Sequence, residues 1–86
     1  MINEKRFTFK KNVSPLKQIR ENLEMSREQF ASALGTTSGT VYRWETGRHG
    51  ISFTVRQIKN LMELIEPLGI NIDDLPDDLG PPSTVG

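Results

Sequence analysis

The run from Met25 to Gly47, MSREQFASALGTTSGTVYRWETG, constrains the fold of this chain more than any other stretch. Ser26 reads as a helix N-cap, and Gln29 three residues on completes a capping box. Phe30, Ala31 and Leu34 then fall on one face. Gly35 follows where a helix end calls for a residue that tolerates positive φ. Thr37 or Ser38 can cap a second helix, whose Val41 and Trp44 sit three apart and point the same way. Gly47 supplies its stop. Two helices this short gain little alone and must pack on neighbours. The turn between them is too short for an antiparallel pair, so they are expected to cross.

The rest of the chain supplies those neighbours. Ser14-Pro15 is a cap followed by proline at the first helical position, and it opens a helix to about Glu24 with Leu16, Ile19 and Leu23 on one face. The crossed pair covers about 27–34 and 38–45. A Gly-containing loop, Thr46–Ser52, carries Arg48 and His49. A fourth helix is predicted from about Thr54 to Glu66, with Ile58, Leu61, Leu64 and Ile65 as its stripe and Pro67 at its end. Asn71–Leu75 reads as a short final turn or a fifth helix stopped by Pro76. The spacing therefore predicts an all-α domain of four to five short helices over residues 14–75, built around Leu16, Ile19, Leu23, Phe30, Leu34, Val41, Trp44, Ile58, Leu61 and Ile65. Before it, residues 1–13 alternate Phe7 and Phe9 with Arg6, Thr8 and Lys10, which fits a short strand or an extended basic arm. After it, residues 76–86 run from acidic to Pro/Gly-rich and are expected to form a flexible tail.

Composition narrows the function classes. Eighty-six residues make one small domain. The absence of cysteine removes disulfides and thiolate metal sites, and the single His49 cannot build a metal site alone. No apolar run approaches the roughly 18 residues of a membrane span, and the N-terminus lacks the apolar core of a signal peptide, so a cytoplasmic protein with no membrane partner is expected. Net charge is zero, but its distribution is uneven. All eleven Lys and Arg lie at or before Lys59 against five acids there, a net of +6. Beyond Lys59 six acids stand with no base, a net of −6. The basic part coincides with the crossed helices, an electrostatic footprint suited to nucleic acid.

Over Met25–Gly47 the chain resembles the lambda-repressor-like, or Xre-type, family of helix-turn-helix DNA-binding proteins. Glu28, Ala31, Gly35, Thr37, Thr40, Val41, Trp44, Glu45 and Gly47 occupy positions of the family pattern, and the likeness extends more loosely over Pro15–Leu75. Ala31 is small where the helices approach, Gly35 makes the turn, and Val41 and Trp44 dock the second helix. Three features depart from the pattern. Arg27 stands where the family usually carries Gln, Gly39 occupies a position that often holds a base-reading side chain, and the segment after Gly47 is longer and more apolar than usual.

The resemblance implies that the helix at about 38–45 enters the major groove and that its early residues touch base edges. Thr37, Ser38, Gly39 and Arg43 are the candidate base-contacting positions. Arg43 is foremost, since a guanidinium grips guanine O6 and N7 bidentately; the plainer reading is an ordinary solvated arginine. Arg27, Thr40, Tyr42, Thr46 and Arg48 are candidates for the DNA backbone, which sets register without reading sequence. Arg27 opposes the dipole at a helix N-terminus, a cost that a phosphate would relieve. The resemblance also implies an ion pair between Arg20 and Glu45. The basic arm could enter a minor groove, pair as a strand with a second copy, or remain disordered.

Nothing in the sequence assembles catalytic chemistry: no nucleophile with a partnered base, no phosphate-cradling glycine loop, no cofactor motif. Asp73, Asp74, Asp77 and Asp78 lack the alternating spacing of a calcium loop. The expectation is therefore a non-enzymatic, sequence-specific binder of double-stranded DNA, acting as a repressor or regulator and as a homodimer on a two-fold site. The rival is a protein-interaction module, such as an antitoxin or a regulator that binds a toxin or other protein partner through its C-terminal part.

Overall fold

The computed structural model describes residues 9–10 and 12–81. Four α-helices form in them and no strand does. Helix α1 is Pro15–Asn22, capped by the Ser14 hydroxyl, which accepts the Lys17 amide at 3.3 Å. It stops before Glu24, because Glu24 adopts φ +59° and the amides of Glu24 and Met25 turn back onto the carbonyls of Glu21 and Arg20. Helix α2 is Arg27–Leu34, with the Ser26–Gln29 capping box complete and Gly35 at φ +101°. Helix α3 is Ser38–Thr46; the Thr37 hydroxyl caps it and Gly47 ends it at φ +79°. Helix α4 is Val55–Ile65, opened by a second capping box between Thr54 and Gln57.

The helices enclose one core, to which α1 gives Leu16 and Ile19, α2 gives Phe30, Ala31 and Leu34, α3 gives Val41 and Trp44, and α4 gives Leu61 and Ile65. The Trp44 ring meets Phe53 edge-on, 5.2 Å between centroids, which fixes the loop after α3 against the core. Leu23 and Ile58 are half-buried rather than core, Leu23 because α1 ends beneath it and Ile58 because it lines a surface cleft. Polar side chains join α4 to α2. Asn60 donates to the Leu34 carbonyl at 2.8 Å and Gln57 to that of Gly35 at 3.1 Å, supplying donors to carbonyls that a helix end leaves free.

Beyond α4 the chain makes two 3-10 turns, Glu66–Leu68 and Ile72–Asp74. The second, capped by Asn71, is all that forms of the possible fifth helix.

The expected flexible tail needs correction. Leu79 is 6% exposed and belongs to the core. Its carbonyl accepts the Leu16 amide at 3.0 Å and the buried Ser14 hydroxyl at 2.8 Å, so it caps the N-terminus of α1. A Cβ built at Gly47 would lie 3.0 Å from Pro81, which places the segment across the end of α3 as well. The packed body therefore reaches Pro81, not Leu75. It also begins before residue 14. Gln18, 5% exposed, exchanges hydrogen bonds with both backbone groups of Lys10 and donates to the Val13 carbonyl, while Phe9 packs against the core. The remainder of the basic arm (residues 1–8 and 11) and of the tail (82–86) lies outside the described residues.

Candidate nucleic-acid interface

Helix α3 divides its side chains sharply. Val41 and Trp44 point into the core at 0% and 6% exposure, which forces Ser38, Gly39, Tyr42, Arg43 and Thr46 onto the other sides of the helix. The outer side is internally ordered. The Thr37 hydroxyl, after taking the Thr40 amide, donates to the Thr40 hydroxyl at 3.0 Å, and Arg43 Nη2 donates to that same hydroxyl at 3.3 Å. Thr37, Thr40 and Arg43 thus form a hydrogen-bonded row along one edge of the helix.

Arg43 does not extend freely into solvent. Long helical side chains lie back over the preceding turn, and a Cβ at Gly39 would be 3.5 Å from the guanidinium Nη1. Gly39, anomalous as a base reader, leaves the space over which Arg43 lies. Thr46 turns its hydroxyl onto the Tyr42 carbonyl at 2.8 Å, and Arg48 is exposed beyond the αL turn at Gly47.

Glu45 faces the opposite way and is 5% exposed. Arg20 meets it bidentately, Nε to Oε2 at 2.7 Å and Nη2 to Oε1 at 3.2 Å, while Nη1 of Arg20 donates to the Met25 carbonyl. Arg27 Nε adds a third bond to Glu45 at 3.0 Å. One carboxylate therefore ties α3 to both α1 and the start of α2. The guanidinium of Arg27 also lies 5.1 Å from the centre of the Tyr42 ring. Glu45 thus supplies a compensating charge for Arg27 at the α2 N-terminus, and the Arg27 side chain remains 38% exposed.

Two clefts flank α3. One, of about 250 Å³, lies between Thr40, Arg43 and the loop residues His49, Gly50 and Ser52. The other, of about 420 Å³, runs between the first turns of α2 and α3 and is lined by Ser26, Arg27, Glu28, Ser38, Gly39 and Tyr42. Ser52 and Glu28 join these clefts, Ser52 without a sequence signal of its own as a site residue. The signal that points to Glu28 is the capping box at Ser26, which sets it in the first turn of α2 on the cleft it shares with Ser38.

Among the described residues no three His, Cys, Asp or Glu gather as a metal site, and no helix is long and apolar enough to cross a membrane. No curated protein and no solved structure matches the chain. Residues 16–55, from the first turn of α1 to the start of α4, match the family model described as helix-turn-helix. That segment contains the crossed α2–α3 pair, the glycine turn and the Trp44-Glu45 anchor. That segment, a little under half of the chain, is similar to the helix-turn-helix of the Xre, lambda-repressor-like type.

Proposed function

We propose that this chain is a sequence-specific regulator that binds double-stranded DNA as a homodimer, with α3 in the major groove. The hydrogen-bonded row Thr37–Thr40–Arg43 carries the reading: it presents an ordered guanidinium beside the first turn of the exposed helix in a helix-turn-helix domain. Thr37, Ser38, Gly39 and Arg43 meet base edges, and Arg27, Thr40, Tyr42, Thr46 and Arg48 meet the backbone. Glu28, which lines the same cleft as Ser38, accepts in this reading from an exocyclic amine such as cytosine N4.

Selection of bound duplexes from a random pool tests the reading, followed by titration of a selected and a scrambled duplex. Arg43→Ala is expected to reduce discrimination between the two by about 1–3 kcal/mol. Arg48→Ala and Arg27→Ala are expected to weaken both duplexes alike and to flatten the salt dependence. Equal losses on both duplexes for Arg43→Ala would remove it from base reading. A pool with no enriched sequence would sink sequence-specific binding altogether.

A further inference from the structure

We infer that the exposed face of α4 is a two-fold contact with a second copy of this chain, the helices running antiparallel. Val55, Lys59, Met62 and Glu66 recur at i, i+4, i+7 and i+11 and so form one stripe, flanked by Arg56 and Glu63. All six are exposed, and Val55 and Met62, at 72% and 46%, are two of the three large hydrophobics that the described residues leave in solvent. The apolar edge of the stripe continues through Ile58 into a cleft of about 310 Å³ shared with Ile51, Phe53, Ile72 and Leu75.

Charge identifies the occupant. Both bases, Arg56 and Lys59, lie in the N-terminal half of the helix, and both acids, Glu63 and Glu66, lie at its C-terminal end. For a lone helix that order is unfavourable, because bases belong at the negative C-terminus and acids at the positive N-terminus. None of the four makes an ion pair among the described residues. An antiparallel copy reverses the situation. With the two-fold axis near residue 61, Arg56 faces Glu66 of the copy, Lys59 faces its Glu63, and the two Met62 side chains meet beside the axis. A parallel copy would set like charges against each other. A helix of 11 residues is about 16 Å long, so the contact falls in the small class, below about 1,200 Å². Exchange with monomer is accordingly expected at micromolar concentration. The inference deepens the homodimer of the proposed function, but its test uses no DNA, so either can fail alone.

The mass of the full chain is measured by sedimentation equilibrium from micromolar to millimolar at about 0.15 M salt. Arg56→Glu with Lys59→Glu, and separately Glu63→Lys with Glu66→Lys, should each weaken self-association at least tenfold. Both variants correct the dipole order, so melting temperature should hold or rise and unfolding cannot account for the loss. An equimolar mixture of the two should recover the dimer. The fourfold variant, with net charge again zero, should self-associate like the wild type; this separates facing pairs from attraction between oppositely charged molecules. A wild type that stays monomeric, double variants that dimerise undiminished, or a fourfold variant that stays monomeric would each overturn the interface.

Discussion

At the scale of single residues, Glu45 joins three helices. Its buried carboxylate accepts from Arg20 twice and from Arg27 once, so Glu45→Ala leaves the buried Arg20 without its partner. Removing one side of such a pair typically costs about 3–5 kcal/mol, most of it the penalty for the stranded charge. Arg20→Met added to Glu45→Ala is therefore expected to recover part of that loss in a double-mutant cycle by thermal melting. Strictly additive losses would show that the two side chains do not interact. Gly39 poses a different question, because it lies inside a helix where alanine is normally better. With Arg43 Nη1 at 3.5 Å from the added methyl, Gly39→Ala meets only ordinary contact. Stability should rise by roughly 0.4–1 kcal/mol. If glycine is there to let the DNA or Arg43 come close, affinity for the selected duplex should fall while stability rises. A variant that is both more stable and equally tight would leave Gly39 without a role in binding.

At the scale of elements, the segment after Asp78 acts as a clamp. Leu79 fills the core while its carbonyl binds the first turn of α1, and the next residues cross the end of α3. Leu79→Ala is expected to cost about 2–5 kcal/mol, as for other buried leucines, and to lower the melting temperature with α1 loosened. An unchanged melting curve would mean that Leu79 contributes nothing to the folded state. The same residue marks how far the sequence could be read. The caps at Ser14, Ser26, Thr37 and Thr54 and the glycine stops lie within a few residues of what they control, so local spacing exposes them. The hydrogen bond from Ser14 to Leu79 joins residues 65 apart in sequence. Proline and glycine around Leu79 give a loop composition, and composition cannot reveal that a loop crosses the core. Gln18 is illegible in the sequence for a related reason: its polar side chain sits on the buried side of α1 because the backbone at Lys10 and Val13 satisfies it. The outward face of α3 was legible because Val41 and Trp44 fix its rotation. The bond from Arg27 to Glu45 was not, since it depends on the crossing angle of α2 and α3.

At the scale of the whole molecule, the split between a basic portion through Lys59 and an acidic portion beyond it should govern how the chain approaches DNA. If α3 and the exposed Arg43 and Arg48 meet the duplex, each neutralised phosphate releases counterion, and affinity for any duplex should fall steeply between about 50 and 200 mM salt. The acidic portion opposes that approach over distances set by the Debye length, about 10 Å at 0.1 M. Asp74 and Asp78 are poor places to test this, because Asp74 accepts the Asn71 amide and Asp78 the Gly80 amide. Asp73 and Asp77 are exposed and make no such side-chain bond among the described residues. Asp73→Asn with Asp77→Asn takes the net charge from zero to +2 while sparing both turns. The pair is expected to tighten binding to selected and scrambled duplexes equally at about 0.05–0.1 M salt, with the gain gone near 1 M, where the Debye length is about 3 Å. Fluorescence anisotropy across a salt series measures both limbs. A gain confined to the selected duplex, or one that persists at high salt, would mean that these acids touch the DNA or a neighbouring subunit directly. No gain at any salt would place the acidic surface beyond the reach of the duplex and leave binding to the basic portion alone.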